Sequence, residues 1–174
     1  IRLIDSSVGN VIEAVSSGQA DFGLCFAKNL PASIEFTPLA DDRYVAACRH
    51  DHPLAGRTHL SWQAYFEQDY IGLDRVSGNR TLLDRELAHL TPARPSICET
   101  RHVTTMLGMV EAGIGIAAVP AMSMPAGEHS VLRAVPLTDP VVTRTVGLIR
   151  LSGRIQSYVA AELEKLIIEQ YPSG

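Results

Sequence analysis

The chain has 174 residues, enough for one compact domain or for two small lobes. Hydrophobic residues make up 46% of it and charged residues 20%, values close to the globular average that exclude a disordered tail or a fibrous repeat. The 15 Lys and Arg residues against 19 Asp and Glu give a formal net charge of -4. This negative net charge argues against a chain that binds nucleic acid by itself, because phosphate binding needs a dense basic surface.

The cysteines and the hydropathy pattern argue against a disulfide-rich, a zinc-binding and a membrane-spanning protein. Cys25, Cys48 and Cys98 are far apart and form no CxxC pair, so the sequence predicts reduced thiols in a cytoplasmic protein, not a disulfide framework or a structural zinc site. Cys25 and Cys48 lie in apolar runs, where buried structural cysteine is the ordinary explanation. The longest apolar stretch, Gly113 to Met124, contains a proline and is too short to span a membrane.

The first part of the chain alternates between strand and helix patterns. Ile1 to Ile4 predict a short strand, and apolar residues from Val8 to Val15 recur at helical spacing. Ala20 to Phe26 is a compact apolar run typical of a buried strand. Phe36 to Arg49 predicts a longer extended segment, and Ser61 is placed to cap a short aromatic helix.

The second part repeats this alternation. The predicted elements are, in chain order, a strand at Tyr70 to Leu73, a helix with Leu83, Leu87 and Leu90 on one face, a strand at Ser96 to Glu99, a helix from Val103 to Val110, a strand from Ile114 to Val119, extended segments at Val131 to Leu137 and Val142 to Leu151, and an amphipathic helix from Ile155 to Ile167. The pattern predicts an α/β fold with mostly parallel sheets in two lobes joined by crossover strands. In open sheets of this kind, ligands bind beyond the carboxyl ends of the strands.

Four segments follow one another in a distinctive order. They are VSSGQADFGL (Val15 to Leu24), the stretch from Pro38 to Ala55 with its HPLA motif, VEAGIGIAAVP (Val110 to Pro120), and the closing strand and helix from Thr143 to Tyr171. Each has a structural explanation too, since the glycines suit helix ends and the His-Pro pair suits a turn. As an ordered set they resemble the effector-binding domain of LysR-type bacterial transcriptional regulators.

The resemblance implies a periplasmic-binding-protein-like fold (type 2) with two Rossmann-like lobes. Lobe I would comprise approximately residues 1–36 and 138–174, and lobe II approximately residues 44–134. A small-molecule effector, expected to be a carboxylate, would bind in the cleft between the lobes, with no cofactor. Its effect would pass through the crossover strands, where Arg43 or Tyr44 is expected to alter the response without touching the ligand.

The resemblance also implies a cytoplasmic regulator with no membrane partner, assembled as a homodimer or homotetramer. Promoter DNA would be bound only through a winged helix-turn-helix that this chain does not contain. The chain departs from the family at its start, which corresponds to the family's second strand and lacks a methionine. Because part of the effector site and of the dimer contact would then be missing, we expect an exposed sheet edge, and with it aggregation or self-association.

One candidate effector-binding turn runs from Leu73 to Leu82 (LDRVSGNRTL). It offers Ser77, Gly78, Asn79 and Arg80 near the start of a helix. Unpaired N–H groups and the helix dipole favour an anion at such a position. The alternative is an ordinary surface turn in which Ser77 or Asn79 is a plain N-cap.

Two further strand ends complete the predicted site. One lies between a strand and the next helix, where the family has its second pocket wall, and a capping Thr is the alternative there. The other follows the strand that starts at Ala20, where the lysine also suits a solvated loop. The residues concerned are Thr100, Arg101, His102, Phe26, Ala27 and Lys28. Arg80 and Arg101 would together orient a carboxylate.

Other functional classes find less support in the sequence. His50, His52 and His59 form a histidine cluster, but no nearby cysteine or second carboxylate completes a coordination set, so no metal is expected. No G-x-S-x-G, P-loop or H-E-x-x-H motif is present, so no enzyme activity is expected. The alternatives are a solute-binding protein of the same architecture that serves transport, and an enzyme of a related two-lobed fold with clustered, perturbed titratable groups.

Overall fold

The computed structural model describes residues 1–26, 30–126 and 130–171. The chain divides into two compact units, the first made of residues 1–41 and 144–174 and the second of residues 42–143. The elements in chain order are α1 (Val8–Ser16), β1 (Phe22–Phe26), β2 (Ile34–Arg49), β3 (Leu60–Ser61), α2 (Trp62–Phe66), β4 (Tyr70–Leu73), α3 (Gly78–Glu86), β5 (Cys98–Thr100), α4 (Val103–Glu111), β6 (Ile116–Pro120), β7 (Leu132–Thr138), β8 (Thr143–Leu151) and α5 (Tyr158–Glu169).

In the first unit, β8 lies between β1 and the start of β2. It runs antiparallel to β1, with Phe22 opposite Arg150. Helix α1 begins where the Ser7 hydroxyl accepts a hydrogen bond from the Asn10 N–H, as capping serines do. Its apolar face packs on the sheet in a small core. The buried members of that core are Val15, Cys25, Ile34 and Ile149.

The predicted strand at Ile1 to Ile4 is wrong. Residues 1–7 form neither helix nor strand, and Ile1 and Leu3 are 97% and 88% exposed. The alternating pattern is present, but a strand is stabilised only by the hydrogen bonds of a neighbouring strand. None of the strands within the described residues pairs with this segment.

In the second unit, β2 pairs antiparallel with β6 and β7, while β4 lies between β6 and β5 and is parallel to both. The sheet is therefore mixed, not mostly parallel as predicted. The parallel part comes from the βα repeats, whose helices α3 and α4 carry the chain back to the same edge. The antiparallel part comes from the pairing of β2 with β6 and β7. The direction of these strands relative to one another could not be predicted from the local sequence.

Successive residues of β2 face opposite sides of this sheet. Tyr44 and Ala46 face a core that also holds Trp62 and Tyr65 of α2 and the buried Leu82 of α3. The intervening Val45 and Ala47 face the helix α4 core. Helices α2 and α3 thus cover one side of the sheet and α4 the other, a layered arrangement typical of α/β folds.

The glycine motif between α4 and β6 has the structural role that the sequence indicates. Gly113 ends α4 with a φ of +78°, a conformation that residues with a side chain rarely adopt. At Gly115, a Cβ atom would lie 2.5 Å from the Asp69 carbonyl oxygen, so only glycine allows this close approach. The motif therefore supports the turn into β6.

Several predicted elements are confirmed, one of them with a changed boundary. The strand at Tyr70 to Leu73 is present as β4, and Ser61 caps α2 by accepting a hydrogen bond from the Ala64 N–H. Strand β5 begins at Cys98, two residues later than predicted.

Candidate functional site

The two predicted strand-to-helix turns of the second unit lie side by side. Strands β4 and β5 are parallel neighbours, with Leu73 opposite Thr100. Just beyond them, the Asp74 N–H donates to the Thr100 carbonyl oxygen over 2.9 Å. The turns that lead into α3 and α4 therefore open at the same edge of the sheet. This edge brings together Ser77, Gly78, Asn79, Arg80, Thr100, Arg101 and His102.

The N-termini of α3 and α4 differ from those of the other helices. Ser7, Ser61 and Ser157 each accept a capping hydrogen bond at the start of their helix. Ser77 and His102 occupy the N-cap positions of α3 and α4, but within the described chain neither side chain makes a capping bond. N–H groups in the first turn have no acceptor inside a helix, and the helix dipole makes them attractive to an anion. The plain capping role considered for Ser77 is thus not observed, and the α4 cap position belongs to His102, not to a threonine.

The Arg80 guanidinium is held by the protein itself. Its Nη1 donates to the Leu73 carbonyl oxygen over 3.0 Å and to the Glu99 carboxylate over 3.3 Å, and its Nε donates to Asp84 over 2.7 Å. Desolvation lowers the pKa of Arg80, but hydrogen bonds and charge from Asp84 and Glu99 raise it overall. Arg80 therefore ties α3 to β4 and β5, and its charge is already balanced by two carboxylates.

Arg101 is placed differently. Its side chain is 66% exposed, and its Nε donates to the Asp74 Oδ2 over 3.1 Å. The other carboxylate oxygen of Asp74, Oδ1, is buried and has no hydrogen-bond partner among the residues the structure describes. A buried oxygen of this kind costs free energy unless a donor reaches it. The edge therefore offers the exposed guanidinium of Arg101 and one unmet acceptor, the Asp74 Oδ1.

A residue from β2 also reaches this edge. Tyr44 is fully buried, and its hydroxyl donates to the Asn79 Oδ1 over 2.7 Å. The sequence indicated Tyr44 as a residue that affects the response, but not this contact with the α3 turn. The sequence could have predicted some contact for the Tyr44 hydroxyl. Tyr44 directly precedes the small apolar residues Val45 to Cys48, and a buried tyrosine needs a hydrogen-bond partner for its hydroxyl.

The candidate residues of the first unit lie at the end of β1. Phe26 is half-buried, and the Arg144 guanidinium carbon lies 4.5 Å from the centre of its ring, within the range of a cation–π contact. Ala27 and Lys28 lie outside the described residues.

Among the residues that the structure describes, the cysteines and histidines form no metal-binding group, and two of the thiols are buried. Burial raises the pKa of Cys25 to about 11 and also raises that of Cys48, which disfavours the thiolate that redox chemistry needs. The ring Nδ1 of His52 accepts from the Leu54 N–H over 3.2 Å, a turn contact. Across the described ranges, no cluster of His, Cys, Asp and Glu could hold a metal ion. Over the same ranges, no helix is long and apolar enough to cross a membrane.

A family model and a curated relative each match most of the chain. The family model described as "LysR substrate binding domain" matches residues 1–172. The regulator YbhD of Escherichia coli strain K12, described as an uncharacterized HTH-type transcriptional regulator, is 38% identical over 97% of this chain and 53% of its own length. The chain spans about half the length of the curated relatives it matches.

Solved structures show the same fold. The effector binding domain of QuiR in complex with shikimate superposes with a TM-score of 0.78 at 22% identity, covering 95% of this chain and 78% of that one. The regulatory domain of Synechocystis PCC6803 CcmR in complex with 2-PG gives a TM-score of 0.81 at 16% identity, covering 97% and 81%.

Proposed function

Because the chain belongs to the LysR substrate-binding domain family, we propose that it senses a small hydroxylated anion at the edge where α3 and α4 begin. The family is one of transcriptional regulators, not enzymes, and the matched relatives are regulators and not transport proteins.

The observation that carries the proposal is the pair of uncapped helix N-termini at one sheet edge. Ser77 and His102 leave the first-turn N–H groups without a side-chain cap among the described residues. Two positive helix ends side by side would bind a carboxylate or phosphate through charge-assisted hydrogen bonds. The hydroxyls of Ser77 and Thr100 and the exposed guanidinium of Arg101 would add side-chain donors.

The charges around this edge restrict the ligand further. Arg80 is balanced by Asp84 and Glu99, so Arg101 is the cation we assign to the ligand, and it exchanges its partner Asp74 for the incoming anion. The unmet Asp74 oxygen would then accept a hydrogen bond from a ligand hydroxyl. An anion that also carries hydroxyl groups matches both features, and the ligand named in the QuiR structure is shikimate.

Regulation would follow from a difference in affinity between two conformations of the domain. A ligand that bound both equally would shift nothing. In the proposed account, the full-length regulator carries a DNA-binding part beyond this chain, acts as an oligomer in the cytoplasm, and changes its activity at a promoter when the effector is bound.

Thermal unfolding against a panel of hydroxy acids, simple carboxylates, sugar phosphates and neutral polyols tests the proposal. A ligand at about 100 times its Kd stabilises by about 2.7 kcal/mol, which raises the Tm of a domain this size by about 5–10 °C. We expect a selective shift from a hydroxylated anion that Arg101→Ala abolishes. The matched control is Arg57→Ala, an exposed arginine away from this edge, which should keep the shift.

Two results would contradict the proposal. One is an equal shift from the neutral polyols, since they lack the anion that the helix ends should recognise. The other is a full shift with Arg101→Ala in a protein whose fold is intact.

A further inference from the structure

We draw no further inference here: the strongest candidate, the apolar groove of the first unit that residues 1–4, the edge strand β1 and helix α5 line, is an unpartnered face, and nothing in the described part of the chain shows what covers it.

Discussion

Replacing Tyr44 with phenylalanine should lower stability and effector affinity together. The hydroxyl of this buried residue donates to the Asn79 Oδ1 over 2.7 Å, and the substitution removes that bond while keeping the ring and its packing. A net hydrogen bond is worth about 1 kcal/mol. Because Asn79 is only half-buried, water can reach its freed oxygen, so the loss should stay near about 1 kcal/mol and not approach the larger penalty of a buried orphan.

Urea and thermal unfolding measure the first effect, with an expected drop in Tm of about 2–4 °C. Titration with the strongest compound of the effector panel measures the second, with an affinity loss of about fivefold if the turn holding Asn79 loosens by the same free energy. Tyr158→Phe is the matched control, since Tyr158 is 79% exposed. The reasoning is refuted if Tyr44→Phe binds the ligand as tightly as the wild-type chain, or if it loses as much stability as a cavity-forming core substitution.

Three further predictions concern stability and reactivity. Arg80→Lys keeps the charge but loses the fork that joins the Leu73 carbonyl to two carboxylates, so urea unfolding should show a loss of about 1 kcal/mol; an unchanged midpoint would contradict the tie between α3 and the sheet. Hydrogen bonds from Arg49, and then its positive charge, hold the pKa of Asp51 at about 2, below its ordinary value of 3.8. The ionised Asp51 therefore stabilises the folded chain above pH 4, and this contribution is lost as the pH falls towards 2. The difference in Tm between the wild-type chain and Asp51→Asn should close over that range. Burial raises the pKa of Cys25 to about 11, so a thiol reagent at pH 8 should modify it only in urea; rapid labelling of the native chain at Cys25 would be the contrary result.

The parts of the fold that follow local chemistry could be predicted from the sequence. Strand β4 and the cap at Ser61 depend on neighbouring residues, and the pattern there is sufficient. Ile1 to Ile4 carry the same kind of pattern but form no strand, because pairing depends on a partner that lies elsewhere in space. The antiparallel pairing of β2 with β6 and β7 is tertiary information of the same kind.

The candidate site divides in the same way. The sequence predicts that Arg80 and Arg101, at the starts of two helices, bind a carboxylate in the same way. In the structure Arg80 pairs with Asp84 and Glu99, whereas Arg101 is exposed. The Arg80 to Asp84 pair follows from helical spacing, whereas the Glu99 contact arises only because β5 lies beside β4. The bond from Tyr44 to Asn79 joins residues 35 positions apart, beyond any local pattern.

The most direct measurement is an amide chemical-shift titration of the isotopically labelled domain with the strongest compound of the effector panel. The account predicts that the largest changes fall on the first-turn N–H groups of α3 and α4, beginning with Gly78 and Val103, and that they vanish in Arg101→Ala. Gly56, in an exposed turn away from this edge, should not move. Saturable binding that leaves the amides of both first turns unmoved would contradict the central claim that these two helix ends hold the anion.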